Sequence, residues 1–443
     1  MKIAIIVSLL IVRELFRATL APIRMILYLP QRTRWRREIA EILAEDPQAT
    51  DVDPSQKLTV RGKGRLFISA GETSGESHAV RVIQAVAAAG GEGDWQCFGG
   101  HQLEEAGAEL LYPLSDRTVM GLRGVIRSLP FIIRAVTRFI RMLEEDPPDL
   151  IVLVDYPGLH LVLARLARNR GIEVIHYIAP QYWAWGPWRM KRYKKCVSAT
   201  LTILPFESPF FRHAGIPSEY VGHPLLDANR KTETGTRTTA EEMATESPTL
   251  CLLPGSRRKE IQLNLPGMIQ VARDLRSEHQ SAHVVLPHID PRHSELIRAL
   301  LRELEADFVE FREGEVADVL TSSRVVLAKS GTGSLEACLQ GVPTIVVYKL
   351  SSSIAEIFAR HCLSVPWISS ANLIAGRKIV PEFCFREDNT WSEVSSLLTK
   401  MWVDGPTRSS HIEGLNEIRS RLGSPGASKR VARWILPFCR IAS

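Results

Sequence analysis

Two glycine-rich turns in the second half of the chain carry groups that suit a phosphate. They are LPGSR at residues 253–257 and KSGTG at residues 329–333, and each follows an apolar run and precedes a helical pattern. Gly255 permits close backbone approach, and Arg257 can offer a forked donor to a diphosphate. Hydroxyl and free N–H groups of the second turn suit the same anion, and Glu336 follows where a carboxylate can accept ribose hydroxyls. Each alone could be a plain turn, but the pair predicts a nucleotide-binding site.

A third turn, SAGETSGE at residues 69–76, opens a helix after the first strand pattern of the main body. Ligands of open α/β sheets bind at such positions. The turn lacks the lysine of a phosphate loop, and its two carboxylates would repel a diphosphate, so it suits a polyhydroxy sugar better. The alternative is a tight structural turn in which Glu72 and Glu76 complement the helix dipole.

Asp155 stands where the strand pattern VLV ends and the turn YPG begins. A carboxylate at the end of a strand could act as a base and take the proton of a hydroxyl group. It could equally cap the helix that follows, and the spacing leaves both interpretations open.

An aromatic block, HYIAPQYWAW at residues 176–185, precedes a cationic segment at residues 189–195. Such interleaving could serve nucleic acid, through base stacking and phosphate contacts, or a sugar ring and its phosphate. The remaining interpretation is a set of core aromatic side chains beside a solvated helix face.

Two segments combine apolar residues with arginines. Residues 3–12 form an apolar run that is too short to span a bilayer, which takes about 20 residues, and no signal-peptide cleavage site follows it. We expect an interfacial helix here, or one packed on its own protein or on a dimer partner. The segment 119–143 carries five arginines in an amphipathic pattern, which indicates either a membrane-surface helix or a solvated one.

The length of 443 residues predicts two domains, and 45% apolar with 23% charged residues indicates a globular protein. A net charge of +6 could favour anionic lipids, phosphate-bearing substrates or nucleic acid. Seven cysteines without CxxC spacing indicate a reducing compartment.

Apolar runs alternate with helical patterns in two series, which predicts an α/β fold of two Rossmann-like domains facing a cleft. The predicted divisions are an N-terminal extension at 1–64, a first domain at 65–228, a polar linker at 229–247, a second domain at 248–405 and C-terminal helices at 406–443.

In their order, these motifs resemble those of the lipid-A-disaccharide synthases, glycosyltransferases of bacterial outer-membrane lipid assembly. The resemblance covers roughly Arg65 to Asp388. It is carried by SAGETSG (69–75), the block 176–185, PFE (205–207), VGHP (221–224), LPGSR (253–257), SGT (330–332) and NLIAGR (372–377).

The resemblance implies a GT-B fold and transfer, with inversion, of 2,3-diacylglucosamine from its UDP derivative to the 6-hydroxyl of 2,3-diacylglucosamine 1-phosphate. Neither a metal nor another cofactor is expected, because protein donors can stabilise the leaving diphosphate. The expected UDP contacts are Ser256, Arg257, Ser330, Gly331, Thr332, Glu336 and Asn372. The other expected substrate contacts, in the acceptor-binding first domain, are Gly71, Glu72, Ser74, Gly75 and Trp183.

Asp155 is the expected base, and Asp149 and Glu76 are the other carboxylates that match family positions. Gly158 departs from the family pattern, because many relatives carry a second carboxylate there. Residues 1–64 are also absent from that pattern.

The implied acyl substrates predict a cytoplasmic protein that works peripherally on the inner membrane, since acyl chains favour lipid by about 0.8 kcal/mol per buried methylene. The expected membrane contacts are Arg123, Arg127, Arg134 and Arg138. Relatives suggest a homodimer, and no nucleic-acid partner is expected.

Two alternatives remain: a GT-B enzyme that acts on another UDP-sugar, and a non-catalytic protein that binds a nucleotide sugar or nucleic acid. The block 176–185 argues against the first, and the presence of both Asp155 and Arg257 argues against the second. A Rossmann dehydrogenase is disfavoured because no GxGxxG follows the first strand.

Overall fold

The computed structural model describes residues 2–45, 58, 64–115, 128–228 and 248–441. These residues divide into two compact units. The first takes in the described residues of Met1–Ile42, Pro47–Ala228 and Ser424–Ser443, and the second those of Leu43–Asp46 and Asn229–Gly423. The linker predicted at 229–247 lies outside the described residues.

The N-terminal extension is helical over residues 2–44, within its described part. Its helices are α1 (Lys2–Thr19), α2 (Ala21–Tyr28) and α3 (Arg32–Ala44). Within the described part of the chain, no helix is both long enough and apolar enough to span a bilayer.

The first unit is built on a parallel sheet. Its strands are β1 (Arg65–Ala70), β3 (Asp94–Phe98), β4 (Glu109–Tyr112), β5 (Leu150–Val154), β6 (Glu173–Tyr177), β7 (Ala199–Thr202) and β8 (Ser218–Tyr220), with β2 (Gly91–Glu92) outside the sheet. The order across the sheet is β4-β3-β1-β5-β6-β7-β8. Every residue of β5 is buried, which is what a strand covered by helices on both faces requires.

Each of the next helices follows a strand of this unit in the chain. They are α4 (Thr73–Ala88), α5 (His101–Glu105), α6 (Leu129–Glu145), α7 (Pro157–Arg168), α8 (Met190–Tyr193), α9 (Glu207–His213) and α10 (Pro224–Ala228). The chain builds the sheet outwards from β1 in one direction and from β5 in the other, so the strand order reverses between these two neighbours. Ligands of doubly wound sheets bind at such a reversal, beyond the carboxyl ends of the strands.

The second unit repeats this plan. Its strands are β9 (Thr249–Leu253), β10 (His283–His288), β11 (Val309–Glu313), β12 (Ser323–Lys329), β13 (Thr344–Lys349) and β14 (Glu382–Phe385), in the order β11-β10-β9-β12-β13-β14. Its helices before the C-terminal segment are α11 (Arg258–Glu278), α12 (Ser294–Glu303), α13 (Val316–Ser322), α14 (Thr332–Leu339), α15 (Ser353–Cys362), α16 (Ser370–Ala375) and α17 (Thr390–Trp402). The reversal here lies between β9 and β12, the strands that precede the two phosphate-type turns. The two-domain α/β fold predicted from the sequence is therefore confirmed.

The C-terminal segment is shared between the units instead of forming a separate appendage. Helix α18 (Pro406–Leu422) belongs to the second unit, whereas α19 (Ala427–Ile435) and β15 (Arg440–Ile441) belong to the first. Helix α19 packs against α4, and β15 pairs antiparallel with β2.

Polar contacts hold α19 on the first unit. The Asp227 carboxylate accepts hydrogen bonds from the backbone N–H groups that begin α19, those of Gly426, Ala427 and Ser428. Within α19, Arg430 Nε donates to the Val221 carbonyl over 2.7 Å. Burial opposes ionisation of Asp227, but these N–H donors hold its pKa below the usual value.

We predict that Asp227→Ala lowers the free energy of unfolding by about 1 to 2 kcal/mol, because it removes an N-terminal helix cap. A carboxyl group whose folded pKa is depressed stabilises the fold above its unfolded pKa, and this contribution is lost as the pH falls through the folded pKa. The difference between wild type and variant should therefore shrink in acid. Chemical denaturation at several pH values measures it, with the exposed Asp307→Ala as control; an equal effect of the control would contradict the assignment.

Candidate active site

The turn that links β5 to α7 has a strained backbone. Asp155 and Tyr156 are consecutive non-glycine residues in the left-handed region, with φ of 53° and 50°. Such conformations cost about 1 to 3 kcal/mol each and persist where surrounding contacts enforce them. The strain turns the chain sharply at the carboxyl end of β5.

Two buried histidines supply the contacts that enforce this turn. The backbone carbonyl of Asp155 accepts hydrogen bonds from His160 Nδ1, over 2.7 Å, and from His176 Nε2, over 3.0 Å. In those tautomers the other ring nitrogens are acceptors, and Ser69 Oγ and the Tyr193 hydroxyl lie 2.9 and 3.2 Å from them. Burial lowers the pKa of His160 to about 3 and that of His176 to about 4, so both rings are neutral.

The Asp155 carboxyl group is partly buried at this corner. Burial raises its pKa above the usual aspartate value, and a hydrogen bond from the backbone of Tyr156 limits the rise. A raised pKa makes the carboxylate a stronger base, which is the property that proton abstraction from a hydroxyl group requires.

The turn at residues 69–76 packs directly against this corner. The Tyr156 ring lies over Gly71, where a Cβ atom would come within 2.2 Å of the ring. Gly75 lies against the ends of β1 and β5, and Ser74 is exposed at the start of α4. Glu72 is half-buried. Burial, and then the nearby charge of Glu72, raise the pKa of the Tyr156 phenol. The structure thus packs the turn that carries these four predicted sugar contacts against the corner of Asp155, with Gly71 and Gly75 themselves buried.

The other two predicted catalytic carboxylates do not join Asp155. Asp149 precedes β5 and exchanges hydrogen bonds with the backbone of Arg65, whereas Asp155 follows β5. At about 3.3 Å per residue, the strand places these aspartates roughly 20 Å apart. Glu76 is buried and accepts hydrogen bonds from the backbone of Gly100 and Leu103 and from the Ser115 hydroxyl. The sequence-based suggestion that either shares the role of Asp155 therefore lacks support from the structure.

The aromatic block is largely core. Trp183, predicted to contact substrate, is buried, and its indole N–H donates to Glu207 over 3.0 Å. Burial raises the pKa of Glu207 to about 7, while the Trp183 donor and two backbone N–H groups oppose the rise. Trp185 instead is 40% exposed, with the Arg189 guanidinium 4.0 Å from its ring centre. Trp185 is thus the accessible aromatic surface of this block.

In the second unit, the turn after β9 presents Arg257 to solvent. Its side chain is 59% exposed, and it lies 3.6 Å from Glu260. Asn264 fixes the turn by donating to the Pro254 carbonyl over 3.0 Å. Ser256 is exposed beside Arg257. The start of α11 therefore offers a cation, a hydroxyl group and helix N–H groups together.

Lys329 adds a second cation that the sequence reasoning missed. It ends β12, and its ammonium group lies 3.1 Å from Glu260, the carboxylate that also faces Arg257. Since β9 and β12 are neighbours in the sheet, their two turns form one surface. The sequence feature that could have indicated Lys329 is its position directly before the SGT motif at residues 330–332.

Helix α14 begins in the second turn. Thr332 and Gly331 are exposed there, whereas the Ser330 hydroxyl donates to the Ile368 carbonyl over 2.7 Å. Ser334 bonds both the N–H and the carbonyl of Gly331, which fixes the first turn of the helix. Glu336 is half-buried, and burial raises its pKa.

Asn372 does not have the role predicted for it. Its side-chain oxygen accepts from the N–H groups of Ile379 and Val380, and its amide nitrogen donates to the Val380 carbonyl and to Glu382. An asparagine side chain has two donor hydrogens and two acceptor positions, so all are used. Glu382 also accepts from the backbone of Ile368, the residue that receives Ser330. Asn372 thus shapes the loop behind the turn and has no hydrogen-bonding position left for UDP.

Of the predicted membrane contacts, Arg134 is exposed and Arg138 half-buried on α6, whereas Arg123 and Arg127 lie outside the described residues. Across the described ranges, no group of three or more His, Cys, Asp or Glu side chains is arranged to hold a metal ion.

Comparison with known proteins identifies relatives of the whole body of the chain. A family model described as lipid-A-disaccharide synthetase matches residues 66–408. The lipid-A-disaccharide synthase of Trichlorobacter lovleyi is 33% identical over 373 residues, which is 84% of this chain and 97% of that protein.

Solved structures show the same fold at lower identity. The UDP-GlcNAc 2-epimerase from Neisseria meningitidis, bound to UDP-GlcNAc, matches with a TM-score of 0.55 and 16% identity over 83% of this chain and 98% of that one. Acinetobacter baumannii MurG matches with a TM-score of 0.51 and 17% identity over the same share of each chain. The fold is GT-B.

We predict that Gly71→Ala destabilises the protein by about 2 kcal/mol or more, because its methyl group overlaps the Tyr156 ring and forces the strained corner to move. Gly75→Ala is the matched control: its methyl group would meet Ala70 and Val154 at ordinary distances of 3.6 and 3.7 Å. Thermal unfolding of both variants measures the difference. Similar melting temperatures for the two would contradict the packing described here.

Proposed function

We infer the reaction from the family: this chain belongs to the lipid-A-disaccharide synthetases and is a glycosyltransferase. It transfers 2,3-diacylglucosamine from its UDP derivative to the 6-hydroxyl of 2,3-diacylglucosamine 1-phosphate. The products are lipid A disaccharide 1-phosphate and UDP. The observation that carries this proposal is the Asp155 corner, where a partly buried carboxylate lies next to the turn at residues 69–76 that was predicted to bind a sugar.

Asp155 acts as the base. As the acceptor oxygen forms its bond to the anomeric carbon of the donor, the bond from that carbon to the UDP oxygen breaks, and the hydroxyl proton passes to Asp155. A single displacement of this kind inverts the anomeric centre. The turn of Gly71, Glu72, Ser74 and Gly75 binds the acceptor sugar: the exposed Ser74 hydroxyl and the half-buried Glu72 carboxylate contact it, and the buried Gly71 and Gly75 let the turn pack against the Asp155 corner.

The second unit binds UDP. The diphosphate gains negative charge as it leaves, and Arg257 supplies a forked cationic donor for it. The N-termini of α11 and α14 add N–H groups, with hydroxyl groups from Ser256 and Thr332. Glu336 accepts ribose hydroxyls. These protein charges replace a metal ion in the proposed reaction.

The substrates reach the enzyme from a bilayer. Their acyl chains stay in lipid, so the enzyme works on the cytoplasmic face of the inner membrane as a peripheral protein. Arg134 and Arg138 of α6 contact lipid phosphates in this proposal. We also propose that two copies of the chain form a homodimer, because the family resemblance implies one.

We predict that purified protein in mixed micelles forms the disaccharide from UDP-diacylglucosamine and radiolabelled diacylglucosamine 1-phosphate, and that a chelator leaves the rate unchanged. Arg257→Ala should lower kcat by about 10² to 10³, because one donor to the developing charge is lost. Asp149→Asn is the control for Asp155→Asn: the latter should lower the rate by about 10² to 10⁴, and the former should not.

Three outcomes contradict the proposal. A rate abolished by the chelator would require a metal ion. Equal losses in Asp149→Asn and Asp155→Asn would remove the special role of the β5 corner. No product from the wild type, with turnover of a different UDP-sugar, would assign another substrate.

A further inference from the structure

The N-terminal helices leave an apolar surface exposed. Leu9, Val12 and Phe16 of α1 are each more than 60% exposed, and their spacing places them on one face of the helix. Ile23, Ile26 and Leu27 of α2, and Leu29 directly after it, are exposed as well. We call these seven residues the N-terminal apolar surface. Exposed large apolar residues clustered in one segment mark interaction sites.

This surface is exposed even though the extension is fixed to the first unit. Helix α1 packs against α6, with Val7 buried on the opposite face from Phe16. Glu14 pairs with Arg192 over 2.9 Å. Tyr28 is buried, and its ring centre lies 4.5 Å from that of Trp188. Helix α1 thus has two apolar faces. The face of Val7 packs against the first unit, whereas the face of Leu9, Val12 and Phe16 has no role in that packing.

The charge around this surface identifies its partner. The first 38 residues contain eight Lys and Arg residues but two Glu residues. Among the arginines, Arg24, Arg34, Arg36 and Arg37 are exposed. Exposed apolar side chains in a segment rich in exposed arginines fit a bilayer with anionic headgroups, where apolar side chains enter the interface and arginines meet phosphates.

We propose that the N-terminal apolar surface docks the protein on an anionic bilayer. Trp188 and Arg192 border the aromatic block beside the Asp155 corner, so docking at this surface holds the acceptor-binding unit against the membrane. The inference rests on the proposed function for its purpose, which is delivery of acylated substrates. Its test uses no substrate.

The experiment is co-flotation of the full-length protein with vesicles of phosphatidylethanolamine and phosphatidylglycerol, and with vesicles of phosphatidylcholine alone. Wild type should float with the anionic vesicles, and the combined change Leu9→Ser, Val12→Ser and Phe16→Ser should weaken this binding by about tenfold or more. About 1 M salt, where the Debye length is about 3 Å, should also weaken it. The matched control is Ile289→Ser, Ile354→Ser and Ile357→Ser, which alters three exposed apolar residues of the second unit.

A second measurement does not depend on destabilising substitutions. Of the seven cysteines, Cys384 is exposed and the other six are buried. In a Cys384→Ser background, Leu9→Cys labelled with an environment-sensitive fluorophore should shift its emission to shorter wavelength on anionic vesicles. The same label at Ile354→Cys should not.

Equal flotation of wild type and the α1 variant, or loss of flotation in the control, would overturn the inference. A changed oligomeric state without a change in flotation would also overturn it and point to a second copy of the chain. Wild type that binds vesicles but fails to form disaccharide contradicts the proposed reaction only. Wild type that is active in micelles but does not float leaves the proposed reaction standing and contradicts this inference, together with the proposed membrane location.

Discussion

The structure depends on one topological constraint, the reversal of strand order in each parallel sheet. At a reversal, connections leave in opposite directions, and the turns after the two central strands meet without a helix between them. In the first unit these are the turns after β1 and β5, which carry Gly71 and Asp155. In the second they follow β9 and β12, which carry Arg257 and Lys329. The two residues are 84 positions apart in the first unit and 72 in the second.

Within that frame, buried polar side chains set the local geometry. His160 and His176 hold the Asp155 carbonyl in a conformation that the backbone alone disfavours. Asn264 and Asn372 fix loops of the second unit through hydrogen bonds to backbone groups of Pro254 and Val380. These four side chains act on the protein backbone and need no contact with a substrate to shape the site. Their burial makes an unmatched hydrogen bond costly, so each fixes one arrangement of its turn.

The sequence predicted the strands, the two α/β domains and the turns at their ends, because buried parallel strands leave continuous apolar runs and the motifs follow them directly. It favoured Asp155 over Asp149 and Glu76 as the base, but it could not show that the Arg65 backbone holds Asp149 or that Glu76 is buried, because those contacts join segments distant in sequence. Asn372 was misassigned because a motif does not reveal that its amide is saturated. Trp183 was predicted to contact substrate, but Trp185 is the accessible tryptophan. The difference arises because Trp183 packs inside and bonds Glu207, which the sequence does not reveal. The division of the C-terminal helices between the units likewise depends on contacts distant in sequence.

The most direct test of Asp155 as the base is the pH dependence of kcat/KM. Because burial raises the pKa of Asp155, the rate should fall in acid with an apparent pKa above the ordinary aspartate value of about 3.9, and the residual rate of Asp155→Asn should lack this fall. Glu207→Gln is the control, since the pKa of Glu207 is about 7. An acid limb that persists in Asp155→Asn but disappears in Glu207→Gln would contradict the account.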